Sequence, residues 1–127
     1  MKILFLDDDK TRHQVFLTHY GQFENTRCFG AEEAIDKMAN NSYDLIFLDH
    51  DLSENYANSR PSRLDGTYVA GMMIFNDHIF RHNREATVIL HSLNPKGAKE
   101  MYDTLKMGRY SNVIIAPLGF SESIGLE

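Results

Sequence analysis

Four short, unbroken apolar runs decide most of what this chain can become: Ile3-Leu4-Phe5-Leu6, Leu45-Ile46-Phe47-Leu48, Val88-Ile89-Leu90 and Val113-Ile114-Ile115-Ala116. A strand with one wet face alternates polar and apolar residues. Unbroken runs of this length belong instead to strands covered on both faces, as in a parallel sheet between two layers of helices. Segments of helical period lie between the runs. Ala31, Ala34, Ile35 and Met38 fall at i, i+3, i+4 and i+7; Ala98, Met101, Tyr102 and Leu105 repeat that spacing; Val69, Met72, Met73 and Phe80 follow it more loosely. Val15, Phe16 and Tyr20 indicate a helix near the start, and residues 24–29 form a more polar strand suited to a sheet edge. The order βαβαβαβαβ, with right-handed crossovers, predicts an α/β fold. It is a doubly wound three-layer sandwich whose five-stranded parallel sheet has the order 2-1-3-4-5.

Length and composition set the bounds. With 127 residues the expectation is a single domain over 1–127. The chain is 43% hydrophobic and 24% charged, which suits a folded globular protein rather than a disordered one. The longest apolar runs are far short of a membrane span, and Ile3-Leu4-Phe5-Leu6 is too short for a secretory leader, so no membrane association is expected. One cysteine excludes an internal disulfide, and a cytoplasmic location is expected. The net charge of −5 argues against general DNA or RNA backbone binding. Two segments are irregular. Residues 50–65 form a long polar connection containing Arg60 and Arg63, of the kind that is usually functional or disordered. Residues 119–127 leave room for about one or two helical turns, so the final helix is expected to be shortened.

Ligands of open parallel sheets bind beyond the carboxyl ends of the strands. Those ends carry Asp7-Asp8-Asp9, Asp49-His50-Asp51, His91-Ser92 and Ala116-Pro117. In the expected order strands 1 and 3 are neighbours, so Asp7 or Asp8 faces Asp49. Carboxylates so placed raise one another's pKa or take up a cation. An all-oxygen set with room for water suits Mg²⁺ or Mn²⁺ better than zinc. The plainer reading of Asp8 or Asp9 is that it caps the first helix.

Phe5-Leu6-Asp7-Asp8-Asp9 followed by Asp44-Leu45-Ile46-Phe47-Leu48-Asp49 resembles the receiver domain of two-component response regulators. Asp65-Gly66 ahead of a helix, Ser92 after strand 4 and Pro117 after strand 5 extend the likeness along most of the chain. The resemblance implies the flavodoxin-like receiver fold. It would make Asp8 a Mg²⁺ ligand, Asp7 its helper directly or through water, Asp49 the phosphoacceptor and Asp51 a backbone-carbonyl ligand. Ser92 would take the place of the hydroxyl residue that meets the phosphoryl group. The chain also departs from the receiver pattern. Ala116 stands where receivers carry a lysine before the proline, which removes a charge-assisted contact worth about 1.5–3 kcal/mol. The loop after Asp49 is also longer, and the last helix shorter.

A more particular resemblance is to the divergent receivers called cyclic-phosphate-processing receiver domains. It rests on Asp7-Asp8 with Arg12, Leu48-Asp49-His50-Asp51-Leu52 and His91-Ser92-Leu93-Asn94-Pro95-Lys96-Gly97. It implies processing of a cyclic phosphate, with a phosphorylated small molecule or RNA end as partner and Mg²⁺ or Mn²⁺ as cofactor. Opening a cyclic phosphodiester needs an activated water, charge stabilisation on phosphorus and a proton for the leaving oxygen. A metal on Asp7, Asp8, Asp49 and Asp51 would supply the first two. Asp49, His50, His91 and Ser92 form the expected catalytic set, with the two imidazoles as acid–base groups. Ser92, Asn94, Lys96 and Arg12 are the expected phosphate contacts, and Lys96, Arg60 or Arg63 offers a substitute for the absent lysine.

Each residue has a competing structural reading. His50 and His91 serve equally well as hydrogen-bonded structural residues. An extended strand 4 sends His91 and Ser92 to opposite faces. Asn94 and Pro95 fit the start of a helix, Asp65-Gly66 fits a turn, and Arg12 fits a solvated helix face. Two other functions stay open. One is a phosphoacceptor receiver that relays a phosphoryl group through Asp49 to a protein partner; the other is a catalytically silent receiver-like binding module.

Overall fold

The computed structural model describes residues 1–52 and 65–117. The 50–65 connection beyond Leu52, with Arg60 and Arg63, lies outside the described residues, as does the expected short final helix. Five strands, β1 (Lys2–Leu6), β2 (Glu24–Cys28), β3 (Leu45–Leu48), β4 (Thr87–Leu90) and β5 (Val113–Ile115), form one sheet in the order β2-β1-β3-β4-β5. Every pairing is parallel. The helices are α1 (Lys10–Tyr20), α2 (Ala31–Asn40), α3 (Gly66–Phe75), α4 (Asp77–Phe80) and α5 (Pro95–Met107), with a 3-10 turn at Arg81–Asn83. The predicted fold and strand order are what the chain adopts. β1 and β3 are buried along their apolar runs, and β2 is the polar edge.

The two faces of the sheet bury different cores. On one, Leu4, Leu6, Ile46, Leu48, Val88 and Leu90 pack among residues of α2, α3 and α5. On the other, Ile3, Phe5, Phe47 and Ile89 pack with Phe16 and Tyr20 of α1. This second core is aromatic, with Phe5 stacked on Phe16 at 4.4 Å between ring centroids. The buried stripe of α1 is His13, Phe16 and Tyr20, and Val15 is exposed.

Local chemistry sets the helix starts that matter for the site. Asp9 caps α1, its Oδ1 accepting from the backbone N–H of Thr11 (2.7 Å) and of Arg12 (3.2 Å). Asp65 caps α3 by accepting from Tyr68 N–H, and Asn94 caps α5 by accepting from Gly97 N–H, with Pro95 at the first helical position. The loose periodicity from Val69 to Phe80 proves to be two helices. The chain breaks at Asn76 (φ −117°, ψ 49°), whose side-chain amide donates to the Met72 carbonyl, so Phe80 enters the core from α4. Gly66 opens α3 hard against the end of β3. Its N–H donates to the His50 carbonyl at 2.8 Å, and a Cβ there would collide with the Asp49 carbonyl and lie 2.8 Å from His50 Cα. The close approach of these two backbones fixes α3 beside the strand end that carries Asp49.

Candidate functional site

The sheet register builds the site. Phe5, Phe47 and Ile89 stand side by side across β1, β3 and β4. Side chains repeat every second residue, so two positions further on the same face receives Asp7, Asp49 and His91. The ladder carries them there: Asp7 N–H donates to Cys28 O, Asp49 N–H to Leu6 O and His91 N–H to Leu48 O, at 3.1–3.2 Å. One ligand atom from each of the three side chains lies within 4.8 Å of the others, and all three residues are buried.

Asp7 is the hub. Its Oδ2 accepts from His91 Nε2 at 2.9 Å and from Arg12 Nε at 2.7 Å, and its Oδ1 accepts from Arg12 Nη2 at 3.0 Å and from Asp9 N–H at 2.8 Å. Burial pushes the Asp7 carboxyl up, but the hydrogen bonds from His91 and Arg12 outweigh it and hold the group below the usual carboxylate range. Arg12 spans the cluster from the first turn of α1. Its Nη2 is 3.6 Å from Asp49 Oδ2 and 3.9 Å from Asp8 Oδ1, and its Nη1 is 3.5 Å from Asp9 Oδ2. The hydrogen bond to Asp7, opposed by burial, keeps the guanidinium charged.

Asp49 is in a different position. Its Oδ1 accepts from His50 N–H at 2.9 Å, while its buried Oδ2 has no hydrogen-bond partner. Burial, and then the charge of Asp7, push its carboxyl up to about 6. A buried carboxylate oxygen without a donor, beside a second carboxylate and an imidazole, is a place for a proton or a cation. The donor set of Asp7, Asp49 and His91, with Asp8 also buried alongside, fits a divalent metal ion on that ground.

The other expected residues form a second group nearby. His50 Nδ1 is 2.8 Å from Asp51 Oδ1, its Nε2 is 3.5 Å from Asp65 Oδ2, and its ring lies against Gly97 in the first turn of α5. Asn94 Nδ2 donates to Asp51 Oδ1 at 3.3 Å, and Ser92 Oγ accepts from Asn94 N–H at 3.0 Å. Lys96 is exposed at the start of α5. The structure therefore gathers Asp7, Asp8, Asp49, Arg12 and His91 into one cluster and His50, Asp51, Ser92 and Asn94 into another. The His91 ring stacks on Phe5 at 5.0 Å, on the α1 side, while Ser92 Oγ meets the backbone of Asn94 at the start of α5.

One residue escaped the sequence reasoning. His13 is buried, with Nε2 2.8 Å from the Asp7 carbonyl oxygen and its ring stacked on Phe29 at 3.8 Å. Its place at i−3 from Phe16 and i−7 from Tyr20 was the available signal. Asp65, read from the sequence as part of a turn, caps α3 and also reaches His50.

The family model for the cyclic-phosphate processing receiver domain matches residues 2–107. The chain belongs to that family. No protein of curated function matches it. Among solved structures it is similar to the receiver domain of Francisella response regulator 1452, with 25% identity, 97% of this chain and 89% of that one covered, and a TM-score of 0.64. It is also similar to a Burkholderia pseudomallei response regulator with a phosphorylated aspartic acid, calcium ion and citrate (12% identity, 97% and 63% covered, TM-score 0.68). A third likeness is to Thermotoga maritima TrrA in complex with Mg²⁺-BeF (18% identity, 97% and 91% covered, TM-score 0.63). The last two likenesses concern the fold. Among the described residues no helix is long and apolar enough to cross a membrane.

Proposed function

We propose that this family member is a metal-dependent phosphoesterase, acting on a cyclic phosphate of a small molecule or an RNA end at the carboxyl ends of β1, β3 and β4. The observation that carries this reading is Asp49 Oδ2, buried and without a hydrogen-bond donor amid Asp7, Arg12 and His91. Asp8 and Asp49 would hold Mg²⁺ or Mn²⁺, which supplies an activated water and countercharge on phosphorus when bound. The chain's own groups do the rest. Arg12 offers positive charge to phosphoryl oxygens in place of the lysine absent before Pro117. Ser92, whose Oγ accepts from Asn94, keeps its hydroxyl hydrogen to donate. His50 is the proton carrier: its side chain is 13% exposed, within reach of a bound ester, and Asp51 Oδ1, 2.8 Å from Nδ1, orients the ring. His91 is wholly buried, so its part is that of a positioning residue, pinning Asp7 through Nε2.

The test is ³¹P NMR of the protein with Mg²⁺ or Mn²⁺ and a 2′,3′-cyclic nucleotide. Conversion to a monophosphate is expected, abolished by Asp49→Asn and slowed roughly 10²–10⁴-fold by His50→Ala. A cyclic-phosphate signal that never changes overturns the reading for that substrate class. The same Asp49 Oδ2 also favours a second reading, phosphoryl relay. A phosphoryl adduct on Asp49 after incubation with acetyl phosphate, indifferent to His50→Ala, would replace the hydrolytic reading with that one.

A further inference from the structure

We infer that Arg12 is a built-in cation of this site which a divalent metal must displace, so that metal affinity is set by how readily the Arg12 guanidinium leaves Asp7 and Asp49. The inference rests on the proposal that the site takes a metal, and it adds what regulates that event. Three facts support it. The guanidinium already occupies the electrostatic position of a metal, bonded to Asp7 and within 3.9 Å of Asp8 and Asp49. It neutralises Asp49 poorly: at 3.6 Å it makes no hydrogen bond, and the buried Oδ2 is left without a donor. It is also the member of the cluster with a way out, its side chain 27% exposed against 0% for Asp7 and 5% for Asp49. A dication entering among these carboxylates meets a fixed positive charge at contact range, and in a partly buried site that repulsion opposes binding unless the charge moves away. Once turned outward, Arg12 remains tethered to the first turn of α1, beside the site.

The experiment is a Mn²⁺ titration, by calorimetry and by electron paramagnetic resonance, at fixed pH and ionic strength. It compares the wild-type chain, Arg12→Gln and Arg12→Lys. Arg12→Gln is expected to bind Mn²⁺ roughly tenfold or more tightly than wild type, with Arg12→Lys close to wild type because it keeps the charge. Equal or weaker binding by Arg12→Gln overturns the inference. A measurement on wild type alone guards against a variant that fails to fold. The Arg12 Nε–Hε resonance, held by Asp7, should shift or broaden as Mg²⁺ is added, and an unmoved resonance at saturating Mg²⁺ is equally fatal. Absence of metal binding in every form also overturns it. The cyclic-phosphate assay is read separately, so hydrolysis with no Arg12 effect on metal would sink this inference and leave the proposed activity standing.

Discussion

Two histidine–carboxylate pairs of nearly equal length stand at the carboxyl edge of the sheet, His91–Asp7 at 2.9 Å and His50–Asp51 at 2.8 Å. In the first, both side chains are fully buried; in the second they are 13% and 63% exposed. The difference begins with strand direction. His91 and Asp7 point to the α1 face, over Phe5 and Phe47, where no water screens the charge. Asp51 lies just past β3, in water. The same two residue types therefore make a rigid, costly couple in one place and an adaptable one in the other. The buried pair fixes the geometry of the acidic cluster, and the wetter pair is free to meet a ligand.

Four substitutions test that contrast. His91→Ala should destabilise the fold by about 3–5 kcal/mol in urea unfolding, because it strips a hydrogen bond from buried Asp7 and leaves a hole beside Phe5. A loss under 1 kcal/mol would show that Asp7 is held adequately by Arg12 and Asp9 alone. Asp49→Asn should act in the opposite direction. With its folded pKa raised to about 6, Asp49 binds a proton more tightly in the native state than in the unfolded chain. Its ionisation therefore erodes stability as pH rises from about 4 to 6, by roughly 2–4 kcal/mol in all. The unfolding free energy of Asp49→Asn at pH 7 should exceed that of wild type by that order, and the variant should lose the slope in this window. Asp7, held below the usual range, contributes with the reverse sign: its stabilisation is lost only as pH falls below about 4.

Gly97→Ala comes next. A Cβ there would overlap His50 Cγ and lie 2.6 Å from Cδ2, so the ring must turn away from Asp51. The cost should be about 1–3 kcal/mol, and hydrolysis should fall with it if His50 carries the proton. Activity that survives with the ring displaced would take His50 out of the proposed chemistry. The smallest effect belongs to Asp51→Ala, expected to change stability by no more than about 1 kcal/mol. A larger loss would mean the exposed pair is structural after all.

Much of the site was legible because it sits on strand ends. Asp7, Asp49 and His91 follow apolar runs whose pairing brings them level. The split of the third helical segment was not legible. The apolar spacing from Val69 to Phe80 continues through Asn76, and only the packed backbone shows the break. Arg12 was open between the acidic site and solvent for a like reason: helix periodicity places it on α1, but its reach depends on where Asp9 starts that helix.

The sequence by itself determined the sheet, its order and the residues that crown it, since burial on both faces of a strand and a period of two admit few alternatives. Tertiary structure alone decided the charges. Which carboxylate is satisfied, which is left with a bare oxygen, and which histidine is sealed from water depend on ångström distances between segments far apart in the chain. Electrostatic energies turn on those distances and on the water excluded by packing, and neither is written in residue spacing.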